Sequence, residues 1–167
     1  AMSSELRIVP LAEADIAAVI ELAGVIWRQH YPGIISTEQI DYMLAQRYTP
    51  AIIRAQLQSG SAWWDQALVG GRMIGFAQYE PYRQSMKLDK LYLHRDFQRQ
   101  GYGARMLAHI EDAARRRGSS AVRLNVNKHN LNAIAAYRKN GYEVVETVVA
   151  DIGGGFVMDD YVMHKQL

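Results

Sequence analysis

Cysteine is missing from all 167 residues. That excludes disulfides, thiolate zinc sites and a cysteine nucleophile together. A chain built without disulfides suits a reducing compartment, so the cytoplasm is the expected location. No apolar run approaches the roughly 20 residues that span a bilayer. The start lacks the basic, apolar and small-residue regions of a secretory signal, and Ala1 ahead of Met2 reads as a residue left by cloning. A surplus of one charge is missing too. The formal net charge is +2, too small to argue for nucleic acid. Neither a membrane nor a nucleic acid is therefore an expected partner, and no metal is expected. The basic run Arg115, Arg116 and Arg117 falls where a helix should end, where cations complement the helix dipole. That reading is preferred to a phosphate-binding patch.

Repeats, low-complexity stretches and linker-like segments are also missing, so one domain is expected over residues 1–167. Its elements follow from periodicity. A short strand is predicted over Leu6 to Val9. A helix follows from about Glu13 to His30, with Ile16, Val19, Ile20, Ala23, Ile26 and Trp27 on one stripe. Ser36 with Gln39 predicts a capping box, and Thr49-Pro50 starts a third helix that Gly60 stops. Ala62 to Val69 and Met73 to Gln78 flank Gly70-Gly71, a hairpin signal. Leu88 to Leu93 is a further strand. Then come a helix after Gly103, a strand with alternating Val122, Leu124 and Val126, a short helix capped by Asn130, and strands near Glu143 to Val149 and Phe156 to His164. On the helix after Gly103, Glu111 with Arg115 and Asp112 with Arg116 are expected as i,i+4 pairs. The adjacent Trp63 and Trp64 must send one ring to each face of their strand, which leaves room for a homodimer. The fold class is α+β, a central mixed β-sheet with helices on both faces.

The segment with most chemistry runs from Leu91 to Ala104. A strand leads into a loop, and Gly101 and Gly103 open an amphipathic helix. Unpaired amides at a helix start, with the positive end of its dipole, suit a pyrophosphate. Glycine lets the backbone approach it, and Arg99 can add a charge-assisted contact. A glycine pair before a helix serves equally to pack that helix close to a sheet. Two other phosphate loops are excluded. There is no Gly-x-x-x-x-Gly-Lys-Ser/Thr, and the dinucleotide fingerprint needs a third glycine where Met106 stands.

Gln98-x-x-Gly101-x-Gly103 resembles the Gln/Arg-x-x-Gly-x-Gly/Ala signature of the GNAT superfamily of N-acetyltransferases. A second block, Asn130-x-x-Ala133-x-x-x-Tyr137-x-x-x-Gly141-Tyr142, is similar to that family's Asn-x-x-Ala-x-x-x-Tyr-x-x-x-Gly-Phe/Tyr segment. The resemblance implies the GNAT fold and transfer of an acetyl group from acetyl-CoA, as co-substrate, to an amine by direct attack. It implies that backbone groups of Gln98, Arg99, Gln100, Gly101, Tyr102, Gly103 and Ala104 hold the pyrophosphate. Leu91, Tyr92 and Leu93 would offer main chain to pantetheine, and the Leu93 amide would polarise the thioester carbonyl. Asn125 and Asn130 would contact the cofactor arm. Tyr137 would sit near the sulfur and protonate the thiolate. Read without the resemblance, Tyr137 is a core tyrosine and Asn130 a plain helix cap.

One position departs from relatives that acetylate protein N-termini. They carry Glu where this chain has Asn125, and Asn accepts no proton at neutral pH. Glu80 is the first replacement to consider as the base, with His30, Tyr31 and Asp160 behind it. The segments Ile26 to Leu44 and Phe156 to Tyr161 look similar to bacterial GNATs near polyamine acetyltransferases. A cationic acceptor would want acids near the site, and Glu38, Asp41, Glu80, Asp159 and Asp160 are available. A small-molecule or peptide amine is the expected partner. The alternative is a non-catalytic acyl-CoA-binding sensor or interaction module, against which Tyr137 argues.

Overall fold

Turn chemistry fixes the first hairpin. Gly70 and Gly71 both take positive φ, 57° and 77°, as a turn matched to strand twist requires. They join β2 (Trp63–Val69) to β3 (Arg72–Tyr82). The computed structural model describes residues 5–167; the Ala1–Met2 start lies outside the described residues. Ahead of the hairpin come β1 (Leu6–Pro10), α1 (Ile16–His30), α2 (Thr37–Arg47) and α3 (Pro50–Ser59). After it come β4 (Ser85–Leu93), α4 (Tyr102–Arg116), β5 (Ala121–Asn127), α5 (Leu131–Lys139), β6 (Glu143–Gly153) and β7 (Phe156–Gln166). The seven strands form one sheet in the order β1-β2-β3-β4-β5-β7-β6. Only β4 and β5 among these neighbours run parallel.

Strand alternation divides the core in two. Trp64, Phe76 and Tyr92 face the layer of α1, α2 and α3, where Val19, Ala23 and Trp27 are buried. Ala67, Ala77, Leu88 and Leu124 face α4 and α5, with Met106, Ile110 and Ile134. The tryptophan pair splits as alternation demands. Trp64 is buried, its Nε1 donating to Gln56 Oε1 at 2.6 Å. Trp63 lies on the other face under the Arg117 guanidinium, 3.6 Å from the ring centre. The ring thus meets the end of α4, and Arg115 pairs with Asp112 at 3.0 Å, so the arginine run closes a helix as expected.

Several local expectations need correction. The first helix is split: Glu13–Asp15 form a 3-10 turn and α1 starts at Ile16. Half of the Ser36 capping box forms. Ser36 Oγ accepts from Gln39 N at 3.1 Å, but the Gln39 amide donates to Val157 O at 2.8 Å, tying α2 to β7. Neither i,i+4 pair on α4 forms. Glu111 is buried, accepting from Tyr142 Oη at 2.8 Å and Lys165 Nζ at 3.0 Å. A tertiary cation and phenol outbid the arginine one turn away. The β3–β4 turn carries no glycine; Arg83 supplies the positive φ of 56°, so both strands run longer than expected. No helix among the described residues is long and apolar enough to cross a membrane.

Gly75 holds β3 close to the end of β4. A Cβ there would stand 2.7 Å from the Tyr92 carbonyl oxygen and 3.0 Å from Leu93 Cδ1. Backbone cannot yield cheaply, so Gly75→Ala is expected to lower stability by about 1–3 kcal/mol. Urea unfolding checks this, and an unchanged midpoint would show that β4 gives way freely.

Candidate active site

A bulge opens the sheet at its centre. Gln78 pairs with Lys90 and Tyr79 with Leu88, so Asp89 is an extra residue in β4. From that point β4 and β5 separate: their pairing runs only from Ser85 with Ala121 to Leu88 with Leu124. Residues 89–93 of β4 and 125–127 of β5 therefore face each other across a gap. His94 N donates to Ile74 O at 2.7 Å. Alternation along an antiparallel ladder then turns the amides of Leu91 and Leu93 away from β3 and into the gap. A cleft of about 800 Å³ fills it, lined on one side by α4 and α5 and on the other by α1 and α2.

At one end of the cleft α4 begins. Gly101 is its N-cap with φ 83°, and Arg99 before it also takes positive φ, 61°. A bulky residue at Gly101 would strain the backbone. Gly103, already helical, would send a Cβ into open space. The amides of Gly103 and Ala104 lie in the first turn, where no earlier carbonyl of the helix can take them. Gln98 closes the loop by donating from Nε2 to Leu93 O at 3.1 Å. Asn130 caps α5 through Oδ1, which accepts from Ala133 N at 3.4 Å.

Titratable groups line both sides of the cleft. Arg47 binds Asp89 with two contacts from one nitrogen, at 3.0 and 3.1 Å, and Lys90 reaches the same carboxylate at 2.6 Å. Lys90 is buried against the Tyr48 and Trp64 rings. Burial lowers its pKa, Asp89 opposing; Asp89 itself is held below its ordinary value, since Lys90 and Arg47 together outweigh its burial. Asp160, on β7, is 1% exposed, and its Oδ1 has no hydrogen-bond partner among the described residues. Burial pushes its pKa up to about 6, with Arg47 and an Asn125 hydrogen bond opposing and Asp159 adding. His30 also lines the cleft, its pKa lowered by burial against an opposing Asn130 hydrogen bond. Tyr31 Oη and Tyr92 Oη are 2.9 Å apart. Tyr137, on α5, has its phenol raised by burial and then by Tyr31.

The cleft thus brings together Leu91, Tyr92, Leu93, Gln98, Arg99, Gly101, Gly103, Ala104, Asn125, Asn130 and Tyr137. Gln100 and Tyr102 stand outside its lining. Gln100 donates to Asp96 O at 3.2 Å, and the Tyr102 ring packs on the α4–α5 core. Glu80 is not brought to the cleft. β3 runs on to Tyr82, and Glu80 stands opposite Lys87 without lining the cleft. Asp160, ranked behind Glu80 in the sequence, does line the cleft, because β7 returns beside β5 and sets Asp160 diagonal to Asn125. The Arg47–Asp89–Lys90 cluster was invisible in the sequence: it depends on an α2 residue reaching a strand bulge.

Comparison with known proteins agrees with the fold. A family model described as the Acetyltransferase (GNAT) family matches residues 21–142. A spermidine N(1)-acetyltransferase of Thermoplasma acidophilum is 26% identical over 162 residues, covering 95% of this chain and 97% of that protein. The crystal structure of PaiA N-acetyltransferase from Thermoplasma acidophilum, in complex with coenzyme A, superposes with a TM-score of 0.84. It is 25% identical and covers 98% of this chain and 99% of that one. The ribosomal-protein-S18-alanine N-acetyltransferase of Escherichia coli shares the fold, with a TM-score of 0.70 at 20% identity over 97% of this chain and 94% of that one.

Proposed function

The chain belongs to the GNAT family of acetyltransferases, and from this we propose that it moves an acetyl group from acetyl-CoA to a primary amine by direct attack in a ternary complex. The observation that carries the reading is a buried carboxylate, Asp160, and a phenol, Tyr137, on opposite sides of one splayed strand pair. The residues present fit acetyl-CoA. First-turn amides at Gly103 and Ala104, with Arg99 beside them, suit the pyrophosphate. The Leu91 and Leu93 amides suit pantetheine as an added strand would, and the Leu93 amide suits the thioester oxygen. Acetyl-CoA supplies the acyl group and a thiolate that can leave.

The amine nitrogen forms a bond to the thioester carbon and loses its proton to Asp160. The carbon–sulfur bond breaks, and the thiolate takes the Tyr137 proton. Asp160 is suited to its part because its pKa near 6 leaves it ionised yet basic at neutral pH. Asn125, which cannot serve as base, holds that carboxylate instead. The Thermoplasma acidophilum relative is named for spermidine, so spermidine belongs in the panel of amines. Thiol release from acetyl-CoA, with and without amines, tests the reading; no amine-dependent release from a folded protein would remove it.

Gly103→Val separates the phosphate end from folding, since Gly103 is helical and its Cβ would meet only open cleft. Its affinity for acetyl-CoA is expected to fall about tenfold or more, roughly 1.4 kcal/mol, with little change in unfolding midpoint. Calorimetry measures it. Unchanged affinity would detach this helix start from the cofactor.

A further inference from the structure

We infer that the acceptor is a small monoamine, with one ammonium group on an apolar body, and not a polyamine. The inference rests on the acetyltransferase reading above and concerns the acceptor side of the same cleft.

Every Asp and Glu of the chain lies within the described residues. Two of them line the cleft, Asp89 and Asp160. Asp89 is already held by two cations, Arg47 at 3.0 Å and Lys90 at 2.6 Å. A carboxylate so paired has little attraction left for a third cation. Asp160 remains, buried, with one oxygen unpartnered. One carboxylate oxygen without a partner can take one ammonium.

Of the other acids that the sequence offered to a cationic acceptor, none lines the cleft. Asp41 pairs with Arg28 at 2.7 Å and Asp159 with Lys128 at 2.8 Å. Glu38 and Glu80 also fall outside the lining. The same lining includes the apolar Ile35, Met43, Ile152 and Met158 and the cation Arg47. Its nearby amides commit their Nε2 donors elsewhere, Gln39 to Val157 O at 2.8 Å and Gln46 to Ile152 O at 3.2 Å, so at most they offer a cation a neutral amide oxygen and no charge. Tyr42 Oη also donates to Ile152 O, at 2.8 Å, which closes the seam between α2 and the β6–β7 hairpin. A second ammonium pushed against thioethers and aliphatic carbons would lose its hydration with no compensating charge. An alkyl or aryl body would gain by the same desolvation, and methionine adapts to its shape.

A matched pair tests the inference on the full wild-type chain. Hexylamine and 1,6-diaminohexane have the same chain length and differ by one ammonium. With acetyl-CoA saturating, kcat/KM from thiol release is expected to favour hexylamine by about tenfold or more, and 2-phenylethylamine to be used comparably. Equal or better use of 1,6-diaminohexane or spermidine overturns the inference while leaving the acetyltransferase reading intact. So does a preference for the N-terminal amine of an alanyl peptide. Failure of every amine to raise thiol release, with acetyl-CoA binding still seen by calorimetry, overturns both.

Discussion

Asp160→Asn is expected to lower kcat/KM by about 10²- to 10³-fold, within the range that general base catalysis supplies. Asn keeps the shape and the Asn125 neighbour but cannot take a proton from the amine. The pH profile should change with it. With a pKa of about 6, the wild-type carboxylate is the active form, so the rate should fall as pH drops through 6. In the variant that limb should vanish. Stopped-rate assays from pH 5 to 9 measure both. A variant that keeps wild-type kcat/KM and the same acidic limb would remove Asp160 from the chemistry.

Stability should move the opposite way, and this separates a catalytic loss from a folding loss. The folded-state pKa of Asp160 lies above its ordinary 3.8 because burial disfavours the charge. Below about pH 3.8 the acid is protonated in both states and there is no penalty. As pH rises through 6 the folded protein must ionise a buried group, and stability is lost by up to about 3 kcal/mol at 1.36 kcal/mol per unit. Asp160→Asn removes that cost. The variant should therefore be more stable than wild type at pH 8, by about 1–3 kcal/mol, and equal to it near pH 4. Thermal unfolding at the two pH values checks it.

The glycine loop and the Asn130 to Tyr142 block were legible because their signals are local. A capping Asn, a positive-φ glycine and an amphipathic helix are each settled within a few residues, and Gly101 and Asn130 sit where such rules put them. Periodicity likewise placed the helices and strands, and only their ends shifted. The pairing of Asp160 with Asn125 was not legible, although Asp160 stood among the acids the sequence offered. Asp160 and Asn125 are neighbours only because β7 inserts between β5 and β6, and strand order is a property of the whole sheet. The same holds for Glu111, read as a surface acid from helical spacing. Its actual partners, Tyr142 and Lys165, come from the chain that follows. Glu80 was misplaced for a smaller reason: a turn built on Arg83 carries no sequence signal, so the strand seemed to end before it, and Glu80 lies outside the cleft lining.

Tyr137→Phe is the companion test on the other side of the gap. The ring packs against Tyr142, 5.8 Å between centres, and its removal would disturb α5; Phe keeps that contact and deletes only the hydroxyl. Burial holds the phenol above its ordinary pKa, so it is fully protonated at any working pH and can act only as a donor. A higher pKa makes a weaker acid. The same desolvation raises the proton affinity of a thiolate formed beside it, which restores the match between the two. Thiolates leave tolerably without help, so the effect should lie near the low end of general acid catalysis, about 10²-fold in kcat. The Kd for acetyl-CoA should change little. If product release limits turnover, the drop will be hidden in kcat and must be read from single-turnover acetyl transfer. A folded Tyr137→Phe variant with the wild-type single-turnover rate would strip Tyr137 of its role as acid. Weaker acetyl-CoA binding at that unchanged rate would make it a residue that holds the cofactor arm.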